Sequence, residues 1–352
     1  MKKAFTIFVL MLLFFTLGCN KDDGNNNGKT EELKIADYYP ILENTRYYYK
    51  GEGNEYAEYS KFVDYTLDDR FQERVDNPGT SLAKIYELKD GALKVLFTRG
   101  ENYYREDYLR NPSLVGELTE EVLLQEPLEK GNSWTSKDGN KREITGIDVM
   151  VKVPYGEFKA IEVTTTDDNG TTKDYYAKDV GLIQSKFITG TDEISSSLEK
   201  VMKNTPYTTK VNFYYPNLDK DKYYFVEADV TFNTNDVTRE VLESAYRTNY
   251  TDSMKNQGIG NVLTTNTKIN SLYLDKFETV HLDLTKDFIT EMNAGAFYES
   301  MLLNSLVDTF GAYYGRDKVI ITIDEDNYSS GHIYFEDGEF LKTDFTKAVK
   351  FN

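Results

Sequence analysis

Apolar residues from Asp37 to about Ile194 recur mainly at every second position, and that spacing commits this half of the chain to strands. Ala57, Tyr59, Val63, Tyr65 and Leu67 fall on one alternate set. Successive strand side chains point to opposite faces, so such a set lines one face of a sheet. Asp90-Gly91 separates strand patterns at 82–88 and 93–97, and Asp168-Asn169-Gly170 separates those at 158–166 and 171–177. Such pairs tolerate positive φ and match the twist of adjoining strands, which predicts two hairpins. Only 118–124 has brief helical spacing. The 28 tyrosines and 20 phenylalanines agree with sheet, because aromatics fit a pleated, half-buried surface. The expected architecture is an antiparallel all-β meander curled into a half-barrel.

A faint echo runs through this half. Tyr47 lies seven residues after Pro40, and Trp134 lies seven after Pro127. Each aromatic reads as a buried anchor at the start of a strand, since rings contribute mainly through buried area. Trp134, the sole tryptophan, is expected as a core plug.

The pattern changes after a polar stretch at 195–209, which reads as a linker. Val211, Phe213 and Tyr215 alternate, and 224–232 continues as strand. Asn235 or Asp236 is placed to cap a helix carrying Val237, Val241, Leu242 and Ala245 on one side. Strands follow at 269–274 and 279–284. Asn293 is placed to cap a long helix in which Leu302, Leu306 and Phe310 recur every four residues before Gly315 ends it. Phe297 is expected in its buried face. A strand at 319–323 precedes a hairpin, 333–335 with 340–341, around Asp337-Gly338. Two main helices packed on a mixed sheet account for this order, giving an α+β domain at 210–346 beside a β-rich domain at 37–194. Each half has its own candidate core and is expected to fold alone.

The chain begins Met1-Lys2-Lys3, an apolar run from Ala4 to Leu17, then Gly18-Cys19. A basic start, an apolar core of about 7–15 residues and a small residue at the cut mark a secretory signal, here 1–18. The run falls short of the roughly 20 apolar residues that a spanning helix needs. Cys19 is the only cysteine, so it has no disulfide partner within the chain. Residues 19–36 read as a flexible tether, because 20–29 are polar and rich in Asn and Gly. Gly24 to Thr30 imitates a phosphate-binding loop but has one residue too few between its glycines and follows no strand.

The formal charge is −18, and −20 once Lys2 and Lys3 are removed. Such a surface repels phosphate backbones and anionic lipid, which argues against a nucleic acid partner. Two histidines, His281 and His332, and no second cysteine leave no Cys/His metal site. Both histidines fall in strand patterns and are given a sheet-surface role. Neither a Gly-x-Ser-x-Gly elbow nor a Ser-x-x-Lys motif marks a serine nucleophile. A glycosidase pair needs two carboxyl groups within about 5–10 Å, which spacing along the chain does not supply. Asp219 to Tyr223 and Asp324 to Asn327 are the best calcium candidates, yet both lack the glycine and distal glutamate of an EF-hand loop. No catalytic, cofactor or metal residue is expected.

Directly after a signal core and a glycine, Cys19 resembles the lipobox cysteine of bacterial lipoproteins, with Thr16 where leucine is usual. That resemblance implies cleavage before Cys19 and a diacylglycerol thioether, with fatty acyl chains such as palmitate. The pieces Tyr39 to Asn44, Pro127 to Trp134, Val153 to Lys159 and Tyr175 to Ile183 resemble a β-rich domain of unknown function from extracellular clostridial proteins. The pieces Val211 to Pro216, Ile269 to Leu274, Val280 to Phe288, Leu306 to Phe310 and Val319 to Asp324 resemble the sporulation and spore germination domain, GerMN. This resemblance implies an extracytoplasmic α+β module that binds protein or cell-wall partners and brings no catalytic residue. The expected function is a non-enzymatic, membrane-tethered binding or scaffold lipoprotein of the envelope, with sporulation or germination as its candidate setting, held by the lipid on Cys19 to the extracytoplasmic face. The rival is a cell-wall glycan hydrolase or its accessory glycan-binding subunit.

Overall fold

The computed structural model describes residues 32–111, 114–137 and 139–351, so the expected signal, Cys19 and the expected tether as far as residue 31 lie outside it. The tether expected over 19–36 stops short of that end: Ile35 already begins a helix and is buried within the β-rich half, because its side chain joins the apolar cluster there. A short helix, α1 (Ile35–Tyr38), precedes twelve antiparallel strands. The first six are β1 (Arg46–Glu52), β2 (Tyr59–Leu67), β3 (Arg70–Asp76), β4 (Ser81–Lys89), β5 (Ala92–Arg99) and β6 (Glu121–Gln125). The second six are β7 (Ser133–Thr135), β8 (Lys141–Val153), β9 (Gly156–Asp167), β10 (Gly170–Ala177), β11 (Gly181–Thr189) and β12 (Asp192–Met202). Each set is a meander, and the two join where β1 pairs with β12. The Pro-to-aromatic echo now has a structural meaning: Tyr47 lies in β1 and Trp134 in β7, the opening strand of each meander.

This order puts β6 and β7 at opposite edges of a 12-stranded sheet. Laid flat, its edges would stand about 50 Å apart at roughly 4.8 Å per strand. The connection from Gln125 to Ser133 reaches at most about 28 Å when fully extended. The sheet therefore curls until its edges meet, and it forms a nearly closed barrel. Side chains stitch the seam. Trp134 Nε1 donates to the Val122 carbonyl at 2.9 Å, and Arg142 Nη1 donates to the same oxygen at 3.0 Å. Asn132 Nδ2 donates to the Gln125 carbonyl at 2.9 Å. Inside, Ile35 and Tyr39 of the α1 segment pack with Phe71, Leu93, Ile161 and Tyr176.

Several local expectations change. The stretch 118–124 is not helical; its apolar end enters β6, where pairing with β5 satisfies the backbone. Asp90 and Gly91 both have positive φ, 51° and 70°, as expected for that hairpin. At the other hairpin Gly170 is already paired with Asp167, and the Asp167 carboxylate accepts from Asn169 N and Gly170 N to shape the turn. The presumed linker is mostly strand. β12 runs through its serines, which are paired on both sides, so only 203–206 connect it to the next strand. Small hydroxyls fit there because Ser196 Oγ donates to the Ala57 carbonyl at 2.6 Å.

The C-terminal half begins with a hairpin, β13 (Tyr207–Asn217) and β14 (Lys222–Phe232), followed by α2 (Thr238–Thr248) and α3 (Asp252–Asn256). Then come β15 (Ile269–Leu274), β16 (Val280–Leu284), α4 (Asp287–Glu291), α5 (Ala296–Tyr314) and β17 (Lys318–Ile323). Short pieces β18 (Asp326–Asn327) and β19 (Leu341–Lys342) pair with β17, and β20 (Ala348–Lys350) lies parallel to β14. β16 and β17 are parallel while β15 and β16 are antiparallel, so the sheet is mixed, with α2 and α5 the two main helices. Among the described residues no helix is long and apolar enough to cross a membrane.

Helix ends differ from the sequence reading. Gly295, not Asn293, occupies the N-cap of α5, and Asn293 turns the chain ahead of it at φ 43°. Val237 is the N-cap of α2, while the Asp236 carboxylate accepts from Asn233 N at 2.7 Å. Gly315 does end α5, in the left-handed conformation at φ 63°. Leu302, Leu306 and Phe310 are buried, but Phe297 is 57% exposed because it sits in the first turn, before the helix enters the core. The expected hairpin at 333–341 does not form. Leu341 pairs with Val319, and Phe335 packs on Tyr328 instead.

The two halves share a core. Ala83, Ile85, Leu96 and Tyr104 of the barrel belong to one apolar cluster with Phe213, Phe232 and Phe310 of the C-terminal half. The described chain from Leu33 onward is accordingly one compact unit. The change of pattern near residue 200 marks a change of architecture within a continuous core.

Candidate binding cavity and the junction

A bulge in β2 breaks the alternation between Val63 and Tyr65 and carries Asp64 into the interior. There its carboxylate meets two guanidinium groups, Arg74 at 3.2 Å and Arg105 at 3.5 Å, all three side chains being sealed from solvent. Buried charges persist only when paired and hydrogen-bonded. Arg74 donates to the carbonyls of Asn102 and Tyr104, and Arg105 to those of Asp64, Asn233 and Asp236. Arg105 also lies 4.1 Å from the Tyr65 ring centroid, a cation–π contact. Because Asn233 and Asp236 belong to the C-terminal half, this cluster clamps the barrel to it.

Next to the clamp is a cleft of about 440 Å³ bounded by Arg105, Glu106, Arg110, Arg239 and Tyr273. Burial pushes the Glu106 carboxyl up to about 7, although Asn111 Nδ2 and the Tyr314 hydroxyl donate to its two oxygens at 3.2 and 3.1 Å. With both oxygens engaged, Glu106 holds the junction. On α5, Asp308 is likewise raised by burial to about 7 while accepting from Asp344 N at 2.8 Å.

The barrel lumen holds a second cavity, of about 360 Å³. Its lining includes Tyr39, Tyr59, Lys61, Glu73, Tyr86 and Asp174. Lys61 Nζ donates to Glu73 Oε1 at 3.1 Å and to the Tyr39 hydroxyl at 3.2 Å, while Tyr39 donates to Glu73 Oε2 at 3.0 Å. Burial, reinforced by Glu73, holds the phenols of Tyr39 and Tyr86 well above their ordinary range, so they remain neutral donors. Asp174 lies opposite Ser185 across the β10–β11 ladder. Burial raises its carboxyl, opposed by a hydrogen bond from Ser185 and by the field of Arg142.

The residues singled out from sequence lie elsewhere. His281 Nε2 lies 3.1 Å from Asp275 and stacks on Tyr273 at 4.8 Å, on the face of β16. His332 is in an exposed irregular loop rather than a strand, since its neighbours 333–335 do not pair as a hairpin. Asp221 pairs with Lys347 at 2.6 Å, and Asp324 accepts from Asn270 at 3.2 Å. Among the described residues no group of three or more His, Cys, Asp or Glu side chains gathers to hold a metal. Trp134 is half-buried at the seam, packed against the lumen cluster.

The cavity residues were missed, although a signal exists. Tyr59-x-Lys61-x-Val63 and Asp174-x-Tyr176 place charges on the same alternate positions as inward apolar residues.

Residues 212–329 match the Germane family, described as sporulation and spore germination. This Germane region begins within β13 and ends just beyond β18, so the barrel lies outside it. Among curated proteins no relative matches the chain. Among solved structures, the tandem GerMN domains of the sporulation protein GerM from Bacillus subtilis are 17% identical, with a TM-score of 0.30, over 40% of this chain and 48% of that one. The first GerMN domain of the same protein is 19% identical, with a TM-score of 0.28, over 38% of this chain and 98% of that one. A Bacteroides fragilis protein with a YmcC-like fold is 14% identical, with a TM-score of 0.29, over 47% of this chain and 99% of that one.

Proposed function

We propose that the chain is a lipid-anchored, extracytoplasmic binding or scaffold protein of the cell envelope that serves sporulation or germination without catalysing a reaction. The observation that carries this reading is the Germane match at 212–329, in one compact unit with a barrel that holds a ligand-sized cavity. The signal pattern and Cys19 support export and attachment through lipid. The 15 residues between Cys19 and the buried Ile35 would let the folded unit reach an envelope protein or peptidoglycan. The buried charged groups support binding rather than turnover, because the carboxylates of Asp64 and Glu73 are already engaged by Arg74, Arg105 and Lys61.

The test is fractionation and complementation. Cys19→Ala should move the protein from the membrane fraction to the soluble one and lower spore yield or germination in a deletion strain. Retention of the variant in the membrane at the wild-type level would mean that an uncleaved helix is the anchor. Full complementation by a soluble form would remove the need for tethering.

A further inference from the structure

We propose that the barrel cavity binds a single amino-sugar unit, with Asp174 taking its ammonium group and the surrounding hydroxyls pairing with the ring. This deepens the binding reading above and rests on it. The lining offers what a polyhydroxylated ring needs, donors and acceptors mixed at close quarters: the phenols of Tyr59, Tyr86 and Tyr176 with the hydroxyls of Ser185 and Ser196. At about 360 Å³ the space lies near the lower end of ligand pockets, which favours one ring over a chain of them. Tyr56, 54% exposed and also in the lining, lies over Gly79, where an added Cβ would fall 2.5 Å from the ring. That glycine lets an aromatic face settle at the entrance.

Charge selects among sugars. Three carboxylates, Glu73, Glu121 and Asp174, and two lysines, Lys61 and Lys84, line the cavity. Glu73 is engaged by Lys61, and Glu121 pairs with Arg142. Of the three, Asp174 alone has no ion pair among the described residues; it accepts from the neutral Ser185 hydroxyl and feels the Arg142 charge only from beyond ion-pair distance, Arg142 being paired with Glu121. An arriving ammonium group would supply the countercharge that burial withholds. The net charge of −18 acts against an anionic occupant.

Calorimetric titration of the mature chain with glucosamine, N-acetylglucosamine and glucose at pH 6.5 tests this. Glucosamine should bind saturably at one site, with the other two at least tenfold weaker, since a charge-assisted hydrogen bond contributes more than a neutral one. Asp174→Asn should remove that preference, and Ser185→Ala should weaken glucosamine while keeping it preferred. Thermal melts confirm that each variant is folded. Equal binding of the three sugars, absence of saturable binding, or an undiminished preference in Asp174→Asn would overturn the proposal. Membrane attachment and spore yield are read separately, so those outcomes leave the envelope reading intact.

Discussion

Arg105 Nη2 donates to the Asn233 carbonyl at 3.0 Å, joining the loop after β5 to the turn before α2. The same guanidinium faces the Asp64 carboxylate at 3.5 Å, so one side chain serves a buried ion pair and the junction of the two halves. Arg105→Ala would strand the Asp64 charge beside Arg74 alone and free the carbonyls of Asp64, Asn233 and Asp236. Losing one partner of a buried pair costs about 3–5 kcal/mol, and urea unfolding should show a loss of that order. Arg105→Lys should recover little, because an ammonium cannot reproduce the planar fork.

The shared apolar cluster leads to a second prediction. A fragment from Thr208 to Asn352 keeps the Germane region but loses Ala83, Ile85, Leu96 and Tyr104 from the cluster. It should melt well below the intact protein, with apolar surface open to dye binding. The intact chain should unfold in one calorimetric transition. Two separated transitions would show that the barrel and the Germane region are energetically independent.

A pair of substitutions on α5 separates burial from sequence pattern. Leu306 is fully buried, and Leu306→Ala should cost about 2–5 kcal/mol through lost contacts and a residual cavity. Phe297 is exposed, and Phe297→Ala should change stability by no more than about 0.5 kcal/mol. Chemical denaturation of the two variants checks both values.

Leu306 and Phe297 also show where the sequence was legible. Periodicity marks a helix through Leu302, Leu306 and Phe310, and Gly315 marks its end, because both signals are local. Phe297 reads the same way, yet whether a neighbouring sheet covers the first turn depends on tertiary packing. The strands and the Asp90-Gly91 hairpin were equally local. The Asp64 bulge, by contrast, requires knowing that Arg74 of the adjoining strand turns inward there and that Arg105 arrives from the loop after β5. The barrel follows from the order of the twelve strands, which alternation alone does not specify. In the cavity, charged residues sit on the inward set, where the usual reading of polar positions as solvent-facing points the wrong way.

Stability should depend on pH through Glu106 and Asp308, both held near 7 by burial. A carboxyl raised in the folded state binds more protons folded than unfolded, so its contribution is full below the unfolded value near 4. It is lost as pH rises toward 7. Glu106→Gln and Asp308→Asn should each flatten that decline. Relative to wild type, each variant should gain on the order of 1–3 kcal/mol between pH 4 and pH 7.5. Parallel denaturation curves for variant and wild type across that range would show that neither carboxyl is shifted.

The barrel seam should be its most labile part. β6 and β7 are joined through side chains, so few backbone bonds resist their separation. Arg142 is central: it donates to the Val122 carbonyl at 3.0 Å and to Ser136 Oγ at 2.7 Å, and it pairs with Glu121. Arg142→Ala removes all three contacts and leaves the Glu121 carboxylate beside the lumen without its cation. Trp134→Phe removes only the indole donor, and the Val122 oxygen keeps Arg142 as a partner. Hydrogen exchange of the 121–125 and 133–135 amides should therefore quicken strongly in Arg142→Ala and slightly in Trp134→Phe. The β3 and β10 amides, paired on both sides, should be nearly unchanged, because local opening exposes only the strands it separates. Uniform acceleration across all twelve strands would mean that the seam opens only with the whole barrel.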